Sequence, residues 1–185
     1  MHVTVRKAIT TDAEAACIVL RRSITECCVE DHRNDPEALS VWLRNKTPEN
    51  IASWFAAPDN FSVVATYGEK VAGVGLLIAK GELALCYVLP EVRFTGVGKS
   101  LLSAMESHAM QSGITELRLS STSTAKAFYL RNGFTPNGTP EMEFGIQAFP
   151  LVKQLGANDG FPGKSALNSS VTPHDMKLHR GETNS

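Results

Sequence analysis

The chain has 185 residues, of which 43% are hydrophobic and 20% charged, and its formal net charge is -1. This length and balance suit one globular domain and exclude collagen-like, mucin-like and wholly disordered classes. A near-neutral total supplies no broad attraction to nucleic acid or to an anionic membrane, so neither is an expected partner.

His2 to Ile9 sets Val3 and Val5 against Thr4 and Arg6, the alternation of a strand. A helix is expected next. Thr11 and Glu14 make a capping box, and Ala16, Cys17, Leu20, Ile24 and Cys27 recur on one buried face, leaving Arg21, Arg22 and Glu26 to solvent. Glu30 to Asp35 reads as a polar loop. Asp35 before Pro36 and Thr47 before Pro48 start two short helices, each joining an N-cap side chain to a proline at the first helical position. The first carries Leu39, Trp42 and Leu43, the second Ile51, Trp54 and Phe55, and Pro58 closes the segment. Phe61 to Tyr67 and Val71 to Ala79 form a predicted hairpin around Gly68, Glu69 and Lys70, and Glu82 to Leu89 follows as a third strand. Val97 to Ser112 is helical, with Val97, Leu101, Leu102, Met105 and Ala109 on one face and Gly113 as its C-cap. Strand returns at Leu117 to Ser120, helix at Ser123 to Asn132 with Gly133 ending it, and strands again around Phe134, over Met142 to Phe149 and over Leu151 to Leu155.

Cys27 and Cys28 are adjacent and awkward to bridge, while Cys17 and Cys86 lie in apolar patterns, so reduced thiols are expected. The N-terminal residues lack the apolar stretch of a signal peptide, and no segment reaches the ~20 apolar residues of a membrane span. Together these predict a cytoplasmic protein. From Gly156 onward apolar residues become isolated, which predicts a disordered tail over 156–185 with solvated His174 and His179, and one domain over 1–155.

Val88 to Ser100 joins an apolar strand to an amphipathic helix through Gly96 and Gly98. Glycines let the backbone turn sharply and bring its N–H groups close to an anion, the helix start adds positive dipole charge, and Arg93 and Lys99 add their own. Spacing then separates the phosphate motifs. Gly98, Lys99 and Ser100 match the end of a Walker A loop, but the glycine required five residues before Gly98 is Arg93. A dinucleotide fingerprint needs a glycine three residues after Gly98, where Leu101 stands.

Arg93, Gly96 and Gly98, with Val88 and Pro90 before them, resemble the pyrophosphate signature of the GNAT superfamily of acyl-CoA N-acyltransferases. Ala125, Phe128, Tyr129, Gly133 and Phe134 resemble the later motif of that family, an alanine, an aromatic pair and a Gly-Phe after the helix. The resemblance covers residues 2 to 155. It implies an α/β fold of the α+β type, with a central, mostly antiparallel mixed sheet flanked by helices and splayed strands forming the acyl-CoA cleft. It implies acetyl-CoA as co-substrate and no metal. The backbone N–H groups of Arg93, Phe94, Thr95, Gly96, Val97, Gly98 and Lys99 would hold the diphosphate, Ser100 would add a contact, and Val88 would pair with the pantetheine arm. Cys86 takes the place whose N–H polarises the thioester carbonyl and holds the oxyanion; its thiol reads as a small buried hydrophobe. Tyr129 takes the place of the general acid at the CoA sulfur. Where many family members carry asparagine, this chain has Thr122.

Only a neutral amine attacks a thioester, so a base or a water chain must remove a proton. Glu82, Asp31 and His32 are the candidates, because the resemblance puts their regions beside the acceptor. Cys28 and His32 are too few ligands for zinc. Trp42 and Trp54 either wall an acceptor pocket or fill the core, and His108 is expected to face solvent or a helix neighbour. The expected function is acetyl transfer to a small-molecule or peptide amine by direct attack in a ternary complex, in a monomer or homodimer. The competing reading is a non-catalytic acyl-CoA sensor.

Overall fold

The computed structural model describes residues 2–156, so the tail expected beyond them, with His174 and His179, lies outside the described residues. The first strand is β1 (Val3–Lys7) and the first helix α1 (Ala13–Arg22). A 3-10 turn, Thr10–Asp12, precedes α1; the expected Thr11 and Glu14 pair is replaced by Asp12, whose side chain bonds back to the start of that turn and caps no N–H of α1. The Asp12 carboxylate accepts the Ile9 N–H at 2.9 Å and two bonds at 2.7 Å from the Arg6 guanidinium. The charge-assisted bidentate pair ties the start of this segment to β1.

Past α1 the chain widens into a π-helical turn, Ser23–Cys27. The extra residue per turn shifts the inward phase by one, so Cys28 is buried with Ile24 while the expected Cys27 is only half-buried. Part of the expected polar loop is helix α2 (Val29–His32). Helices α3 (Pro36–Leu43) and α4 (Pro48–Ala56) start as expected: Asp35 accepts from the Glu37 N–H at 2.9 Å and Thr47 from the Asn50 N–H at 3.3 Å.

Strands β2 (Asn60–Tyr67), β3 (Lys70–Ile78) and β4 (Glu82–Val88) form an antiparallel meander, followed by α5 (Val97–Gln111), β5 (Glu116–Ser121) and α6 (Ser123–Arg131). Three strands close the described chain: β6 (Thr135–Pro136), β7 (Glu141–Glu143) and β8 (Ile146–Gln154). One strand was expected over Met142 to Phe149; instead Phe144 (φ 52°) and Gly145 (φ 77°) turn the chain between β7 and β8. Positive φ at both central residues is the hairpin geometry that matches strand twist. Beyond that turn β8 takes in the segment expected as a separate last strand.

The eight-stranded sheet runs β1-β2-β3-β4-β5-β8-β6, with β7 added on β8. All neighbours are antiparallel except β4 and β5, which are parallel and share the single register pair Glu82↔Arg118. Gly81 fixes that junction. Its φ is 88°, its carbonyl accepts the Arg118 N–H at 2.8 Å, and a Cβ there would overlap the Glu116 carbonyl oxygen. From this point toward Val88 no ladder joins β4 to β5 among the described residues, and the sheet opens.

One face of the sheet packs Val63, Leu77, Leu83 and Leu117 against Leu101, Leu102 and Met105 of α5 and Tyr129 of α6. The other packs Val64, Val74, Leu76 and Leu85 against α1 and α4. Each such buried aliphatic side chain contributes about 1.5–3 kcal/mol. No helix among the described residues is long and apolar enough to cross a membrane.

Candidate active site

The Leu89 N–H donates to the Ala72 carbonyl of β3 at 2.8 Å. Backbone groups alternate sides along a strand, so Tyr87 also faces β3 while Val88 and Cys86 turn their N–H groups to the open side. Tyr129 comes to the same place from α6. It is 6% exposed and held edge-on by Phe128 at 5.1 Å and Phe134 at 5.4 Å between ring centroids. Its hydroxyl lies close enough to the Cys86 thiol for the two to interact, and burial with that neighbour pushes the phenol well above its usual value near 10. The Cys86 thiol, also within 3.9 Å of the Gly98 carbonyl, is pushed by burial up to about 12. Both groups therefore keep their protons at neutral pH. This is the pair the sequence assigned to the oxyanion and the leaving sulfur.

The glycine turn reaches the same corner. After β4 a 3-10 turn, Pro90–Val92, leads to Thr95, whose hydroxyl donates to the Val92 carbonyl at 2.7 Å. Gly96, at φ 95°, is the N-cap of α5 and offers no side-chain acceptor. The first intrahelical bond runs from the Ser100 N–H to the Gly96 carbonyl at 2.9 Å, so the N–H groups of Val97, Gly98 and Lys99 have no intrahelical acceptor. The first turn holds no acidic residue. Uncapped donors, a dipole end and the adjoining Arg93 and Lys99 fit a diphosphate. A Cβ on Gly98 would stand 3.6 Å from Phe128 and 3.9 Å from Val88, so the turn, the end of β4 and α6 converge there.

Not every candidate joins this cluster. Glu82 is half-buried at the closed end of the β4–β5 junction. The register passes from Leu76↔Leu85 to Leu77↔Leu83, so Ala84 is bulged out and the alternation resets. Leu83 then shares the α5 face with Cys86, and Glu82 falls on the α1 face with Leu85 and Tyr87, roughly 13 Å along the strand from Cys86. His32 is 2% exposed; its Nδ1 accepts the Asn34 N–H at 3.0 Å and its Nε2 lies 3.2 Å from the Ile24 carbonyl, so backbone occupies both ring nitrogens. Trp42 is buried with Ile24, Cys28 and Ile146, against Tyr87, while Trp54 packs half-buried below α1.

A family model described as an acetyltransferase (GNAT) domain matches residues 30–155. The chain belongs to the GNAT acetyltransferase family. A curated relative, the amino-acid acetyltransferase of Pseudomonas putida, is 41% identical over 88 residues, which are 45% of this chain and only 20% of that protein. A GCN5-related N-acetyltransferase from Rhodopseudomonas palustris superposes with a TM-score of 0.75 at 19% identity, over 84% of this chain and 97% of its own. The PaiA N-acetyltransferase from Thermoplasma acidophilum, solved with coenzyme A, gives 0.72 at 24% identity over 83% and 99%. At these identities the structural likeness is one of fold.

Within this GNAT domain Asp31 has a role its sequence neighbourhood did not announce. Its carboxylate accepts the N–H of Ser123 at 2.7 Å and of Thr124 at 3.4 Å, capping α6 from α2. Thr122 completes that cap, accepting the Ala125 N–H at 3.1 Å. Beside them the Thr124 hydroxyl is buried with no hydrogen-bond partner. An open depression of about 380 Å³, lined in part by Lys7, Asn60, Phe61 and Lys80, lies at the β3–β4 hairpin end. It is roughly five residues, or 17 Å, along β3 from the residue paired with Val88 and so is not the GNAT cleft. His108 meets the neighbour expected on its own helix, its Nε2 lying 3.4 Å from the Ser112 hydroxyl, and also stacks on Phe61 of β2 at 3.7 Å.

Proposed function

We propose that this GNAT domain transfers an acetyl group from acetyl-CoA to a primary amine by direct attack in a ternary complex. The meeting of Tyr129 and Cys86 on the open side of β4, one turn from the uncapped start of α5, carries this reading. The free N–H groups of Val97, Gly98 and Lys99 hold the diphosphate, while those of Arg93 and Thr95 are donated to the Pro90 and Val92 carbonyls at 3.3 Å and shape the turn; Ser100 adds its hydroxyl, and the free backbone edge of Val88 pairs with the pantetheine amide. That anchoring sets the thioester carbonyl against the Cys86 N–H, which is already aimed where negative charge develops and needs no reorganisation. As the amine adds and the C–S bond breaks, Tyr129 donates its hydroxyl proton in a hydrogen bond to the departing sulfur. Glu82, on the α1 face and roughly 13 Å along β4 from Cys86, receives the amine proton only through a chain of waters. The sulfur is a good leaving group with a thiol pKa near ~8.5, so the acid has modest work to do.

Replacing Tyr129 by Phe removes the donor and keeps the ring packing. Turnover should fall about 100-fold while CoA affinity, read by calorimetry, stays within about twofold of wild type; unchanged turnover would remove Tyr129 from the chemistry. The acceptor panel should include free amino acids, which the name of the Pseudomonas putida relative suggests, with polyamines and peptide N-termini. Tight acetyl-CoA binding without transfer to any acceptor would favour a sensor.

A further inference from the structure

Phe94 has no place in either face of the core. Its side chain is 89% exposed, and its backbone has φ 63°, a left-handed conformation. A bulky residue in that conformation is strained, and a large ring in water forgoes the gain of burial; glycine or asparagine would avoid both costs. The ring nevertheless has an ordered neighbour: the Arg93 guanidinium lies over it, 4.9 Å from the centroid. Two residues on, Gly96 begins the uncapped start of α5.

The direction of the co-substrate follows from its own linear chemistry. With the acyl end at Cys86, the pantetheine arm along Val88 and the diphosphate at the turn, the adenosine must leave on the solvent side of that turn. That is where an exposed aromatic ring stands. Every nucleobase has a π-face, and an aromatic side chain backed by a cation is a sequence-tolerant stacking surface for it.

We propose that the Phe94 side chain is a stacking platform for the adenine of acyl-CoA, with the Arg93 guanidinium closing the opposite face of the ring. The platform rests on the acyl-CoA reading of the glycine turn and adds a base-contacting side chain to the backbone contacts assigned there. Arg93 gains a second use in this arrangement, since its charge stands beside the phosphates of the same nucleotide. The strain at Phe94 is then tolerated because it orients the ring outward.

The test uses the full chain and two probes, CoA and 1,N6-etheno-CoA, whose modified adenine fluoresces and is quenched by stacking. Wild type should bind both and quench the etheno base. Phe94→Ala and Phe94→Leu should bind CoA roughly 5- to 100-fold more weakly and leave the etheno base bright, while Phe94→Trp retains affinity and quenching. Because the side chain is exposed, circular dichroism of all three variants should match wild type. Equal CoA affinity and quenching in Phe94→Ala and wild type would overturn the platform and leave the acyl-CoA reading intact. Absence of CoA binding by wild type would overturn the reading on which it rests.

Discussion

Burial beside Tyr129 holds the Cys86 thiol up at about 12, so at neutral pH it carries its proton and is a poor nucleophile. The backbone N–H of the same residue faces the open edge of β4 and is the group proposed for catalysis. Side chain and backbone are separable by substitution. Cys86→Ala keeps the N–H and removes the thiol, so turnover should remain within about tenfold of wild type, whereas losing an oxyanion donor costs about 100- to 1000-fold. A fall of the larger size, measured as kcat with saturating acetyl-CoA, would mean that the sulfur itself reacts. The neighbouring phenol is displaced in the same direction, well above 10, so Tyr129 stays protonated as a donor through the range in which amine acceptors lose their protons.

At the scale of elements, the caps divide into those a local sequence reveals and those it hides. Asp35 and Thr47 sit next to the prolines that start their helices, and both accept the expected N–H bonds. Thr11 and Glu14 matched a local pattern as well, but a 3-10 turn forms there, tied by the Asp12 carboxylate to Arg6 of β1 and to the Ile9 N–H, and α1 starts with no side-chain cap. The α6 cap is harder still, because Asp31 lies 92 residues before Ser123 and only the docking of α2 on α6 brings them together. The bulge at Ala84 is equally silent: after Glu82 the segment to Leu89 is an unbroken apolar run with no alternation to mark a slip, and the side on which Glu82 falls depends on how β3 pairs with β4. The glycine turn and Tyr129 were legible because both belong to contiguous motifs. Since α6 also carries Tyr129, its cap has a measurable reach. Asp31→Ala should lower stability by about 1 kcal/mol, within 0.5–2, read from urea midpoints, and reduce kcat more than it weakens CoA binding. Asp31→Asn keeps an acceptor oxygen and should recover most of both. A variant Asp31→Ala as stable as wild type would remove the cap from the account of how α6 is held.

The whole molecule concentrates its protonated acids where the two layers meet the opening of the sheet. Cys28 and Cys86 are each held up to about 12 by burial, Tyr87 is raised by burial and by the nearby Cys28, and Tyr129 by burial and by the nearby Cys86 and Tyr87. In the unfolded chain thiols ionise near ~8.5 and phenols near ~10. Above those values the unfolded state has released protons that the folded state still holds, so unfolding becomes more favourable as pH rises. The contribution of these groups to stability is therefore intact below about pH 8 and is lost progressively from about pH 8.5 toward 12, first through the thiols and then through the phenols. While a thiol is ionised in the unfolded chain and protonated in the folded one, it lowers stability by up to about 1.4 kcal/mol per pH unit. Urea midpoints measured from pH 7 to 10 should fall with a steepening slope, and the paired substitution Cys28→Ala with Cys86→Ala should flatten the earlier part of it; midpoints flat to pH 10 would contradict the burial of these groups. The same pH rise frees the acceptor amine for attack while leaving Tyr129 protonated. Activity should therefore climb with pH until loss of fold overtakes it, and in the double variant the decline should begin at a higher pH than in wild type.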